Sequence, residues 1–107
     1  MPRARFFFDA GSGSVLWSDD DPARERFDYA IELDALPLSD GLRAELNRLI
    51  HAYDDSVDWD YPPNPTPWSP QQCARFNGEV RAAMTRLRAE LGPEWEVVDG
   101  FRELPEG

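Results

Sequence analysis

The chain has no lysine, one cysteine and one histidine. Cys73, being alone, can form neither an internal disulfide nor a thiolate metal cluster, which excludes a zinc finger. Any Ser–His–Asp or Cys–His arrangement would have to use His51, so nucleophilic catalysis has one starting point and no distinctive partner. No segment approaches the roughly 18 continuous apolar residues that a membrane-spanning helix requires, and Phe6-Phe7-Phe8 is too short for the apolar centre of a signal peptide. No membrane association is expected, and the expected location is cytoplasmic.

All 11 basic residues are arginine. Together with abundant Ala, Asp and Pro, this is the bias of GC-rich codons and points to a bacterial source. Arginine is itself absent where acids gather: residues 49–74 hold Asp54, Asp55, Asp58 and Asp60 and no arginine. The net charge is −10. Such a surface repels phosphate backbones, so no nucleic-acid binding is expected, whereas a basic protein partner is electrostatically favoured.

The apolar content of 41% and aromatic content of 12% are those of a folding chain rather than a disordered one. A chain of 107 residues suits one globular domain, 1–107, with residues 102–107 expected to fray. Gly11-Ser12-Gly13-Ser14 lacks the Lys-Ser/Thr ending of a P-loop and the third glycine of a dinucleotide fingerprint, so it reads as a turn, and no cofactor is expected.

That turn joins two β-prone stretches, Arg3 to Asp9 and Ser14 to Ser18, into a hairpin. Asp19-Asp20-Asp21-Pro22 announces a short helix over 22–28, with its aspartates as a cap cluster at the positive end of the helix dipole. Phe27, Tyr29, Ile31 and Leu33 alternate with polar neighbours and predict an extended stretch to Leu33. Ser39 caps a helix whose stripe is Leu42, Leu46, Leu49, Ile50 and Tyr53. Ser69-Pro70-Gln71-Gln72 is a capping box that opens a second long helix, with Trp68 as a staple over Cys73. Its stripe runs Cys73, Phe76, Val80, Ala83, Met84, Leu87, Leu91 and ends at Gly92-Pro93. A helix N-terminus lowers a thiol pKa, which makes Cys73 a weak nucleophile candidate, although packing explains it without chemistry. Trp95 and Val97 alternate with charges in a last strand. The fold class is α+β: a small antiparallel sheet of N-terminal hairpin plus C-terminal strand, with two main antiparallel helices on one face.

Between the long helices, Tyr53 to Trp68 crowds carboxylates, aromatic rings and prolines. If residues 57–61 are extended, Val57, Trp59 and Tyr61 form one row and Asp58 and Asp60 the other. The bland account is a proline-stiffened loop that closes the core. The functional account is an acidic, aromatic surface of Asp54, Asp55, Asp58, Trp59, Asp60 and Tyr61 that docks a basic protein partner. Carboxylates at a helix C-terminus conflict with its dipole, and Arg81 and Arg88, which have no acid four residues away, are candidates to neutralise them. The alternative is a metal-binding or metal-assisted hydrolytic protein, in which a continuing helix would stack His51 with Asp54, Asp55 and Asp58.

The small acidic single-domain form is similar in a general way to bacterial immunity and antitoxin proteins. No diagnostic motif carries residues over. The likeness implies a non-enzymatic inhibitor or regulator that binds another protein.

Overall fold

Arg3 and Arg5 alternate with Ala4 and Phe6, so one face of this segment is solvated and the other is buried. This strand, β1 (Arg3–Phe6), is the centre of a three-stranded sheet in a computed structural model that describes residues 2–106. β2 (Leu16–Ser18) runs antiparallel to it, with Leu16 opposite Phe6 and Ser18 opposite Ala4. β3 (Glu96–Asp99) lies on its other side and is parallel, from Arg3–Glu96 to Phe6–Asp99. The expected α+β fold is present, with a mixed sheet in place of a purely antiparallel one. The reason is where the chain re-enters: the Glu96 amide donates to the Pro2 carbonyl at 3.0 Å, so β3 starts beside the start of β1.

α1 (Asp21–Phe27) is capped by Asp20, whose carboxylate accepts from the Ala23 amide at 2.9 Å. That bond holds the Asp20 carboxyl below the usual range. Asp19 pairs with Arg3 at 3.0 Å and Asp21 with Arg24 at 4.0 Å, so all three adjacent aspartates have protein partners. The stretch expected to be extended is interrupted at Asp28, which adopts φ 63°. Beyond it only a single bridge, Ala30 to Trp17, lines up along the free edge of β2, followed by a 3₁₀ turn at Leu33–Ala35.

α2 (Asp40–Asp55) begins where the Ser39 hydroxyl accepts from the Leu42 amide at 3.2 Å, and it buries Leu42, Leu46, Leu49 and Ile50. α3 (Pro70–Leu91) begins at a reciprocal capping box, with Ser69 Oγ accepting from Gln72 N and Gln72 Oε1 accepting from Ser69 N. Trp68 packs its ring against Phe76 at 5.6 Å between centroids. Gly92, at φ 77°, ends α3 in a conformation that favours glycine. The two helices are antiparallel: Glu90 near the end of α3 binds Ser39 at the start of α2, and Glu79 pairs with Arg48 at 3.2 Å. Arg48 of α2 thus takes the Glu79 carboxylate, while Arg86 and Glu90, four residues apart on α3, pair at 3.6 Å.

Glu90 accepts from the Ser39 amide at 2.6 Å and from its hydroxyl at 2.9 Å. These bonds, the amide first, hold its carboxyl below the ordinary range. Because the folded-state pKa is lowered, the contribution is complete above the ordinary glutamate range and is lost as pH falls through the lowered value. Glu90→Gln is therefore expected to flatten the decline in thermal stability between about pH 5 and pH 2, as measured by melting curves.

Residues of all three helices and all three strands contribute to the buried interior; the main apolar cluster draws on the sheet, on α2 and on α3. Among the described residues no buried side-chain polar atom lacks a partner. Asn77, 1% exposed, satisfies itself on the C-terminal segment: it donates to the Leu104 carbonyl and the Glu106 carboxylate and accepts from the Leu104 amide. Arg81 pairs with Glu103 in the same segment. The expectation of fraying over 102–107 omits these bonds, and Gly107 lies outside the described residues. Among the described residues no helix is long and apolar enough to cross a membrane.

Candidate functional site

α2 ends at Asp55 with no basic residue in its last turn. Ser56 closes it, its hydroxyl donating to the Tyr53 carbonyl at 2.6 Å. The helix therefore stops before Asp58, and the imidazole-and-carboxylate stack that would join His51 to Asp58 does not form. Among the described residues no group of three or more His, Cys, Asp or Glu side chains is placed to hold a metal ion.

The connector is turned rather than extended, and Asp58 is the cause. Its Oδ1 accepts from the Asp60 amide at 3.1 Å and its Oδ2 from Asn64 Nδ2 at 3.1 Å, while its carbonyl accepts from the Tyr61 amide at 3.2 Å. A short carboxylate bonding to the backbone two residues on is an Asx turn, which competes with extended structure. The Asn64 bond, followed by the backbone bonds, holds the Asp58 carboxyl below the usual range. The two-row arrangement of aromatics and acids is replaced by two rings that both face solvent: Trp59 is 56% and Tyr61 57% exposed.

Asp54 answers the dipole conflict by reaching out of the helix. Its Oδ1 accepts from the Gly11 amide at 2.9 Å, and its carbonyl accepts from the Trp59 indole at 2.8 Å. Arg81 and Arg88 do not take part. Arg81 pairs with Glu103, and Arg88 donates to the Val97 carbonyl at 2.8 Å. Among the described residues no arginine forms a salt bridge with Asp54, Asp55, Asp58 or Asp60.

The predicted site residues thus separate. Asp54 and Asp58 are committed to internal hydrogen bonds, whereas Trp59, Asp60 and Tyr61 stand in solvent. Asp55 is exposed on another side, lining a groove of about 260 Å³ between α2 and α3 together with Arg48, Trp68 and Arg75. Sequence reasoning missed the neighbour that Asp54 selects, the turn around Gly11. It also missed an aromatic cleft of about 290 Å³ lined by Phe7, Phe8, Tyr53, Gly100, Phe101 and Arg102, where Phe8 stacks on Tyr53 at 4.9 Å. The Phe6-Phe7-Phe8 run was the available signal, since three consecutive rings on a strand cannot all face one core.

Cys73 is fully buried, and burial, with a smaller contribution from the Glu106 charge, pushes its thiol up. The direction is opposite to that of an activated nucleophile.

No match among curated proteins was found for the chain. A family model described as Serratia CdiI immunity protein-like matches residues 5–99, which run from Arg5 within β1 to Asp99 at the end of β3 and take in β2, α1, α2, α3 and the whole connector. By that match the chain belongs to the Serratia CdiI immunity protein-like family.

Proposed function

We propose that this chain is a bacterial, cytoplasmic immunity protein that neutralises a protein toxin by direct binding, with the connector as the docking ledge. Family membership supports protein interaction as its role. The observation that carries the choice of surface is the pair Trp59 and Tyr61, more than half exposed on a segment ordered by its own hydrogen bonds. Large rings held rigidly in solvent lose little entropy on binding and supply much of the energy of protein interfaces. Asp60 stands between them in the chain, and among the described residues no arginine forms a salt bridge with it. A cationic toxin surface complements this ledge, and the long-range field of a chain with net charge −10 speeds the encounter.

The test is capture of the cognate protein toxin by wild-type protein and by Asp60→Arg. Reversal of this carboxylate is expected to lower the association rate by about fivefold, with the difference shrinking at high salt. Equal capture by both proteins at low salt contradicts the ledge.

A further inference from the structure

We infer that the docking surface has two segments: the β1–β2 turn at Asp9 to Gly13 forms its second half, and Asp54 is the positioning residue that fastens it to the connector. This rests on the ledge proposed above. Its occupant is the same cationic toxin surface.

One residue holds both halves. The Asp54 carboxylate accepts the Gly11 amide at 2.9 Å, and the Asp54 carbonyl accepts the Trp59 indole at 2.8 Å. The turn and the ring are neighbours: a Cβ placed on Gly11 would lie 3.6 Å from Trp59 Cη2. Gly11 adopts φ 81°, a conformation that a side chain would strain, so the path of the turn favours glycine.

The turn carries its own acid. The Ser12 amide and hydroxyl both donate to the Asp9 carbonyl, at 3.0 and 2.6 Å, which closes the turn through the backbone and leaves the exposed Asp9 carboxylate out of it. Asp9 therefore joins Asp60 as an acid available to a partner, while Asp54 and Asp58 spend their oxygens inside the protein. Charge at Asp54 is incidental; its hydrogen-bond geometry is what the surface uses.

Asparagine separates these roles because its Oδ1 keeps the acceptor and loses the charge. With the toxin as titrant, Asp54→Asn is expected to bind within about threefold of wild type and Asp54→Ala at least about tenfold more weakly. Asp9→Asn/Asp60→Asn is expected to weaken binding and to reduce its salt dependence. A readout without any partner is amide and indole hydrogen exchange by NMR. Asp54→Ala is expected to speed exchange of the Gly11 amide, whose acceptor is the carboxylate, by about tenfold, and Asp54→Asn to leave it nearly unchanged; the Trp59 indole keeps its main-chain acceptor in both and serves as the internal reference.

Unchanged exchange in Asp54→Ala overturns the fastening role, whatever the toxin does. Equal losses of binding in Asp54→Asn and Asp54→Ala overturn positioning in favour of direct charge contact and leave the ledge standing. Wild-type binding by Asp9→Asn/Asp60→Asn removes the turn from the surface; if Asp60→Arg also binds normally, the ledge itself fails.

Discussion

Replacing Trp59 and Tyr61 together by alanine is expected to weaken toxin binding by at least about 100-fold while the protein melts within a few degrees of wild type. The two rings are 56% and 57% exposed, so roughly 100 Å² of each is available to a partner. At about 25 cal/mol per Å² that corresponds to on the order of 2 kcal/mol per ring, or about 30-fold each. The sum overstates the combined effect, because ordering and imperfect packing oppose it. The cost to folding is small because little buried area is lost. The one hydrogen bond removed, from the Trp59 indole to the Asp54 carbonyl, is exposed and contributes about 1 kcal/mol or less. Titration calorimetry and melting curves on the same preparations separate the two quantities. A large loss of stability would mean that the rings serve the fold.

The opposite signature is expected in the interior. Leu46 is fully buried in the middle of the α2 stripe, flanked along the helix by Leu42 and Leu49, which are also fully buried. Leu46→Ala removes apolar surface from the core and leaves a cavity that close-packed neighbours fill only in part, at a cost of about 3–4 kcal/mol. A domain of this size has about 5–15 kcal/mol in total, so the variant is expected to melt on the order of 15 °C lower. Leu46→Met, which nearly conserves volume, is expected to cost less than about 1.5 kcal/mol. Urea unfolding checks both. A loss below about 1 kcal/mol for Leu46→Ala would contradict the packing of α2 against the sheet and α3.

What could be read from the sequence was local. Ser39, the Ser69–Gln72 box and Gly92 mark helix ends because each satisfies backbone groups within four residues, and the leucine stripes follow from helical period. The direction of β3 was not readable, since it depends on where α3 delivers the chain. The connector misled for a related reason. Alternation of ring and acid from Val57 to Tyr61 is a strand pattern, but Asp58 bonds forward to Asp60 and Asn64 and coils the segment. Neither the partner of Asp54, located in the first hairpin, nor those of Arg81 and Arg88, located in the tail and β3, leaves a periodic trace. Likewise Asp28 carries the positive φ that cuts the third extended stretch to one bridge, and nothing nearby announces it.

In sequence the connector's acids form one group, and the fold gives Asp54, Asp58 and Asp60 three different tasks. Asp58 shapes the turn, Asp54 ties it to the hairpin, and Asp60 remains for a partner with Trp59 and Tyr61. This division explains how a strongly acidic segment can be rigid without arginine: backbone and amide N–H groups, rather than guanidinium groups, compensate the carboxylates that are held closest. It also leaves the uncompensated charge beside the exposed rings.

Hydrogen exchange of the chain with and without saturating toxin tests the central claim most directly. The account predicts new protection at the amides of residues 9–13 and 58–64 and at the Trp59 indole. Protection confined to the outer face of α3 or to the free edge of β3, with the connector unchanged, would contradict it.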